Sequence, residues 1–315
     1  MNRLIGAELN RWFSRRLCWV VLLSCVALAV LVVAGVAYGS RPMEGAELAA
    51  AEQDYAEAAK QAEQEKAACL AEGLPAEECD TWTPRRSDFV REPPAYPDLA
   101  GGLGQAGGLI SAYAALLLGA SFLGAEFKTG SLGTWLTYVP SRVPVLASKA
   151  IAALAGTALL GVLVIGILQA GAAGIVLTWS GSEALLPAPD AWAMTGRGFV
   201  LVLGAGLLGF ALAGLLGSTV GPIGVLLGVL VLQWATQVLS LLFGGVWLQA
   251  AMPDPNIQAF LNGGAEISYV ERAANGEMVT KSFELGQAQA SAYLGGLMVL
   301  LGAAATWRFA KREIR

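Results

Sequence analysis

The sequence predicts an all-α polytopic membrane protein with six transmembrane helices, an N-terminal interfacial helix, an extracellular helical arm and a small extracellular β-hairpin. Three observations carry that prediction. The 315 residues are 56% hydrophobic and only 14% charged, with a mean hydropathy of +0.58, which is far from a water-soluble domain. The apolar residues gather in uninterrupted blocks of about 20, the length a helix needs to cross the hydrocarbon, rather than at core-helix spacing. The lysines and arginines are sorted between alternate loops.

Taken in order, residues 1–16 form their own unit. Leu4, Ile5, Leu9, Trp12 and Phe13 recur at helical spacing opposite Asn2, Arg3, Asn10 and Arg11, as in an amphipathic helix lying on the inner leaflet. The six apolar blocks follow at 17–38, 103–124, 147–179, 199–217, 221–248 and 290–307. The first is longer than the apolar core of a signal peptide, about 7–15 residues, so it reads as an uncleaved anchor. The third and fifth are long enough to tilt or to extend beyond the bilayer.

Between the first two blocks lies an acidic loop, 39–102. From about Glu44 to Glu72 it is rich in alanine, glutamate, glutamine and lysine, good helix formers, and the run ends at Gly73 and Pro75, so an external helical arm is expected. The stretch from Tyr96 to Gly108 is rich in proline and glycine and leads back into the membrane. The segments 125–146 and 308–315 are assigned to the cytoplasm, and 180–198 and 249–289 to the outside. Within 249–289, Ile267–Arg272 and Met278–Phe283 flank Asn275-Gly276, a strong hairpin signal, so a β-hairpin should follow Asn262-Gly263-Gly264.

Orientation rests on charge. The segments assigned to the cytoplasm carry 11 bases against 3 acids, and the outer segments 9 bases against 21 acids. Short loops rich in Lys and Arg stay inside, which puts both termini in the cytoplasm of a cell-membrane protein. Trp19, Trp179, Trp247 and Trp307 sit at block ends, where interfacial tryptophans gather. Cys18 and Cys25 fall inside the first block and read as packing. Cys69 and Cys79 flank Gly73-Leu74-Pro75 outside the cell, where a disulfide persists; the sequence leaves open whether they are joined.

Several chemistries lack their residues. There is no histidine, so the usual general base and the commonest transition-metal ligand are absent, and neither an enzymatic activity nor a metal site is expected. No G-x-x-x-x-G-K-[ST] occurs, so no P-loop cradles ATP phosphates in this chain. Buried carboxylates of an ion-coupled carrier are missing from the blocks. Uncharged polar residues remain: Gln169 in the third block, and Gln233, Thr236, Gln237 and Ser240 in the fifth. Gln233 and Gln237, four apart, are candidates either for a substrate path or for hydrogen bonds between helices. Glycine pairs at 104 and 108, 217 and 221, and 224 and 228 permit close helix packing.

The segment between the second and third blocks is the most distinctive. It opens at Gly124, with Glu126, Phe127 and Lys128 ending the second helix and Gly130-Ser131 turning the backbone. Leu132, Trp135, Leu136 and Val139 recur at helical spacing around Thr134, Pro140 stops that stretch, and Arg142 and Lys149 lead into the third helix. A short amphipathic helix at the membrane surface needs lipid headgroups or another protein to cover its apolar face.

The pattern E-[FY]-[KR]-x-G-[ST], an amphipathic stretch, Pro followed closely by Arg, and Leu-x-x-Lys opening the next helix resembles the permease subunits of ABC-2-type ATP-binding-cassette transporters, especially actinobacterial ones. The resemblance implies that the amphipathic stretch is a coupling helix seated in a separate ATPase subunit bearing Walker motifs, with Arg142 at its rim. It also implies a second permease copy or relative as partner, membrane lipid around the chain, no nucleic acid, and export of an amphiphilic substrate such as a drug, lipid or peptide. This chain would hold no cofactor, ATP and Mg being on the ATPase. One departure is the acidic loop, larger than in minimal members. Two other classes fit the same composition: a membrane sensor or envelope-complex scaffold using the external arm, and a secondary transporter, disfavoured by the scarcity of intramembrane charge and the lack of inverted repeats.

Overall fold

Six helices of the protein, described in a computed structural model, are long and apolar enough to cross a membrane. The structure describes residues 2–73, 75, 79, 83–131, 133, 141–185, 188–243, 246–272 and 278–311. A short helix, α1 (Asn2–Phe13), precedes the first span, α2 (Arg16–Gly39). Then come the polar helix α3 (Gly45–Ala71) and the spans α4 (Tyr96–Thr129), α5 (Arg142–Trp179), α6 (Pro189–Leu216) and α7 (Val220–Phe243). After a single helical turn at Trp247–Ala250 come a short helix α8 (Pro253–Asn262), strands β1 (Gly264–Arg272) and β2 (Met278–Gly286), and the last span α9 (Gln287–Lys311).

The spans are longer than the apolar blocks at several ends. Helix α4 begins at Tyr96, not at 103, because Pro97 occupies its first turn, where a missing N–H costs nothing, and Asp98 favours that terminus. Helix α6 starts at Pro189 for the same reason and takes in Arg197. Helix α5 starts at Arg142, ahead of the apolar block, and α7 ends at Phe243, short of the expected 248.

Helix α4 is the hub, with 67% of its apolar window buried against 11% for α9. The reason is its small residues. A Cβ added at Gly119 would strike the Gly206 carbonyl of α6, and one at Gly209 would strike the Leu116 carbonyl, so these two backbones touch as only glycine allows. Gly104 and Gly108 belong to the same seam, against Thr195 and Gly198. A Cβ added at Gly224 or Gly228, by contrast, would meet nothing within 4 Å among the described residues, so of those two spacings the first is the one that builds a helix contact there. Phe122, Leu118, Leu123, Leu160 and Val202 fill the core around the seam.

The hairpin pairs Gly264 with Gly286 through Arg272 with Met278, antiparallel, while Asn275-Gly276 lies outside the described residues. It stands on α8, which the sequence reading did not include. Ala259, Leu285 and Ala290 form a small core there, and Asn256 Nδ2 ties α8 back to the carbonyls of Ala250 and Met252 at 2.8 Å each. Helix α3 runs over the expected residues, with Gly73 (φ 80°) just beyond its end. Beside it, Arg86 donates to Glu52, Tyr55 meets Phe89 at 5.9 Å between ring centroids, and Cys69 and Cys79 are joined by a disulfide, their Cα atoms 5.6 Å apart.

Candidate functional site

At one end of the bundle α1 packs on the start of α5 beside the end of α4, and the end of α9 reaches the first residue of α5. Helix α1 presents Leu4, Glu8 and Trp12, four residues apart, on one face. Trp12 is 2% exposed and its ring occupies the space a side chain at Gly156 would need, so α1 packs into α5. That contact carries Glu8 inward to the first turns of α5.

There Glu8 meets the two charged residues that bracket the distinctive segment. Lys149 Nζ lies 2.8 Å from Glu8 Oε1 and 2.7 Å from Glu126 Oε2. The three side chains are 0%, 1% and 2% exposed for Lys149, Glu8 and Glu126. Arg11 and Arg15 approach the other oxygen of Glu126 at 3.3 and 3.5 Å. Arg15 also donates to the Ser121 carbonyl at 3.1 Å and sits 4.7 Å from the Phe122 ring centroid. Burial pulls the Arg15 guanidinium below its ordinary value, with Glu126 opposing that shift. Charges this deeply buried are tolerated only when paired, and each one left alone costs several kcal/mol, so the cluster fixes how α1, α4 and α5 sit together.

Of the sequence-predicted residues, Glu126 and Lys149 therefore lie in one buried ion network. Phe127 packs partly against the core. Lys128 is exposed. Gly130 closes α4 in the left-handed region at φ 67°, and the Thr129 hydroxyl donates to Ser131 at 3.1 Å. Leu132, Thr134, Trp135, Leu136 and Pro140 lie outside the described residues. Arg142 is half-buried and donates through Nη1 to the Ala310 carbonyl of α9 at 3.0 Å. Gly124, at the head of the segment, abuts the Thr219 backbone in the turn between α6 and α7.

The polar residues of the spans divide. Gln169 is buried and satisfied: it accepts from the Tyr96 hydroxyl at 3.1 Å and donates to the Ala100 carbonyl at 3.0 Å and to Thr195 at 2.9 Å, joining α4, α5 and α6. Gln233 and Thr236 are buried, whereas Gln237 faces outward, so the two glutamines do not share one environment. The Thr236 hydroxyl returns to the Gln233 carbonyl at 2.8 Å.

Glu8, Arg11 and Arg15 were not among the sequence-predicted site residues. A signal for Glu8 exists: an acid between Leu4 and Trp12 on the apolar face of a helix must find a cation when that face is buried. Comparison of the chain with protein-family models, with curated proteins and with solved structures gives no match.

Proposed function

We propose that the chain is the membrane-spanning subunit of an ABC-2-type exporter, working with a separate ATPase and a second permease subunit on an amphiphilic substrate. The single observation that supports this reading most is the Glu8–Lys149–Glu126 cluster. Glu126 lies in the last turn of α4 and Lys149 about two turns into α5, so the two helices that flank the segment are tied to each other by one ion network. A force applied to that segment from the cytoplasmic side would reach α1, α4 and α5 together, because separating them strands buried charge. That is what a coupling element requires: a push on a short surface helix becomes a movement of whole spans rather than a local bend. In this reading Leu132, Trp135 and Leu136 are the apolar face that enters the ATPase, and Arg142 flanks it.

The test is co-purification from the native host in mild detergent, with chains identified by mass spectrometry, comparing wild type with a Leu132, Trp135 and Leu136 triple alanine variant. An ATPase subunit held by the wild type and lost from the variant is the expected result. Intact permease with no ATPase in either sample would remove the transporter reading. The sensor or scaffold reading would then lead, favoured by α3, a 27-residue polar helix beyond the apolar spans with a disulfide at its end.

A further inference from the structure

A second feature lies on the far side of the same bundle end. Helices α4, α5, α6 and α9 enclose a cleft of about 220 Å³, lined by Leu123, Leu146, Phe210 and Met298 among others. Among the described residues that line it the one hydroxyl, that of Thr306, is turned back to the Gly302 carbonyl at 2.8 Å, so this lining offers almost nothing to water. Apolar cavities of about 150 Å³ already stay dry and accept hydrocarbon. The cleft opens outward at Val143, which is 54% exposed.

Its direction and its rim say what fills it. Along α9 the lining runs from Met298 to Thr306, about 12 Å at 1.5 Å per residue, close to the roughly 15 Å of one leaflet's hydrocarbon. It thus lies parallel to the spans, as an acyl chain does. At its end Arg142 bridges from α5 to the Ala310 carbonyl of α9 at 3.0 Å, and the exposed Arg308 follows two residues after Thr306. Trp307, 63% exposed, with Lys311 4.7 Å from its ring centroid, marks that level as the interface. Arg142 at the end of the cleft, with the exposed Arg308 further round α9 at the same level, gives this end a positive charge that complements a phosphodiester anion.

We propose that this cleft binds one anionic glycerophospholipid of the surrounding bilayer, an acyl chain lying between α5, α6 and α9 and the phosphate at Arg142, with Arg308 adding positive charge at the same level. The site does not depend on the exporter reading. Arg142 flanks the segment assigned to the ATPase as well, so the test rests also on Gly302 and Arg308. A Cβ at Gly302 meets nothing within 4 Å among the described residues, so Gly302→Leu starts without a clash and fills part of the cleft that Gly302 lines.

Delipidated protein in detergent is titrated with phosphatidylglycerol or phosphatidylcholine of identical chains, and bound lipids are counted by native mass spectrometry. Wild type is expected to retain one phosphatidylglycerol about tenfold more tightly than phosphatidylcholine. Gly302→Leu should lose that one lipid while keeping its thermal midpoint, and the Arg142→Gln, Arg308→Gln double variant should bind the two lipids alike. Equal retention of the two lipids by wild type overturns the proposal. So does a preference that survives in either variant. If Gly302→Leu melts early, the arginine pair alone decides.

Discussion

Replacing Lys149 with methionine tests whether the buried network holds the bundle end together. The change keeps length and apolar contact but removes the cation that lies within 2.8 Å of both Glu8 and Glu126. Glu126 retains Arg11 at 3.3 Å and Arg15 at 3.5 Å, so most of the penalty falls on Glu8, whose next cation is Arg11 at 3.9 Å. Removing one partner of a buried ion pair costs about 3–5 kcal/mol; with Arg11 partly exposed and able to shift, about 3 kcal/mol is expected. Glu8→Gln alone leaves Lys149 with Glu126 and should cost about 1–2 kcal/mol. Combining the two removes the unpaired charge, so the double variant should cost only about 2 kcal/mol, a coupling of about 2–3 kcal/mol between the two sites. Unfolding by sodium dodecyl sulfate in mixed micelles, followed by tryptophan fluorescence, measures all three. Strictly additive costs, or a Lys149→Met variant within about 0.5 kcal/mol of wild type, would refute the reasoning.

Three further outcomes follow from the packing. Trp12→Ala empties the space beside Gly156 and should destabilise by about 3–5 kcal/mol in the same assay, with α1 becoming open to protease; Gly156→Leu should release α1 equally, because the ring and the new side chain compete for one place. Gln169→Leu breaks the bonds with Tyr96, Ala100 and Thr195, and at about 0.6 kcal/mol per bond within a membrane, rising towards 1.7, the loss should be about 1–3 kcal/mol by the same titration. Reducing the Cys69–Cys79 bridge should speed trypsin cleavage after Lys66 and Arg85, which flank it, and leave the melting of the spans unchanged, since the bridge lies in the loop beyond them; a lowered thermal midpoint would contradict this.

The elements legible in the sequence are those specified by one-dimensional properties. Twenty-odd apolar residues in a row commit a segment to span length whatever surrounds it, so the six spans could be counted without a structure. The α3 arm and the β1–β2 hairpin were legible for a similar reason: helix-forming composition ended by Gly73, and alternating strands around Asn275-Gly276, act within a few residues. Glu126 and Lys149 were visible too, as charged residues of the distinctive stretch between α4 and α5.

What those two residues do was decided by tertiary structure. Their partner Glu8 lies more than a hundred positions away and comes within reach only because Trp12 fits against Gly156. The same holds for Gln233 and Gln237, four apart on one helix, of which only the first turns into the bundle, and for the glycine pairs, of which 104 with 108 forms a seam and 224 with 228 does not. The length of an apolar run and the sign of its flanking charges are local facts, settled by the exchange of each residue between water and lipid. Which faces meet depends on the shape of every neighbour at once, and a buried charge has its partner chosen there.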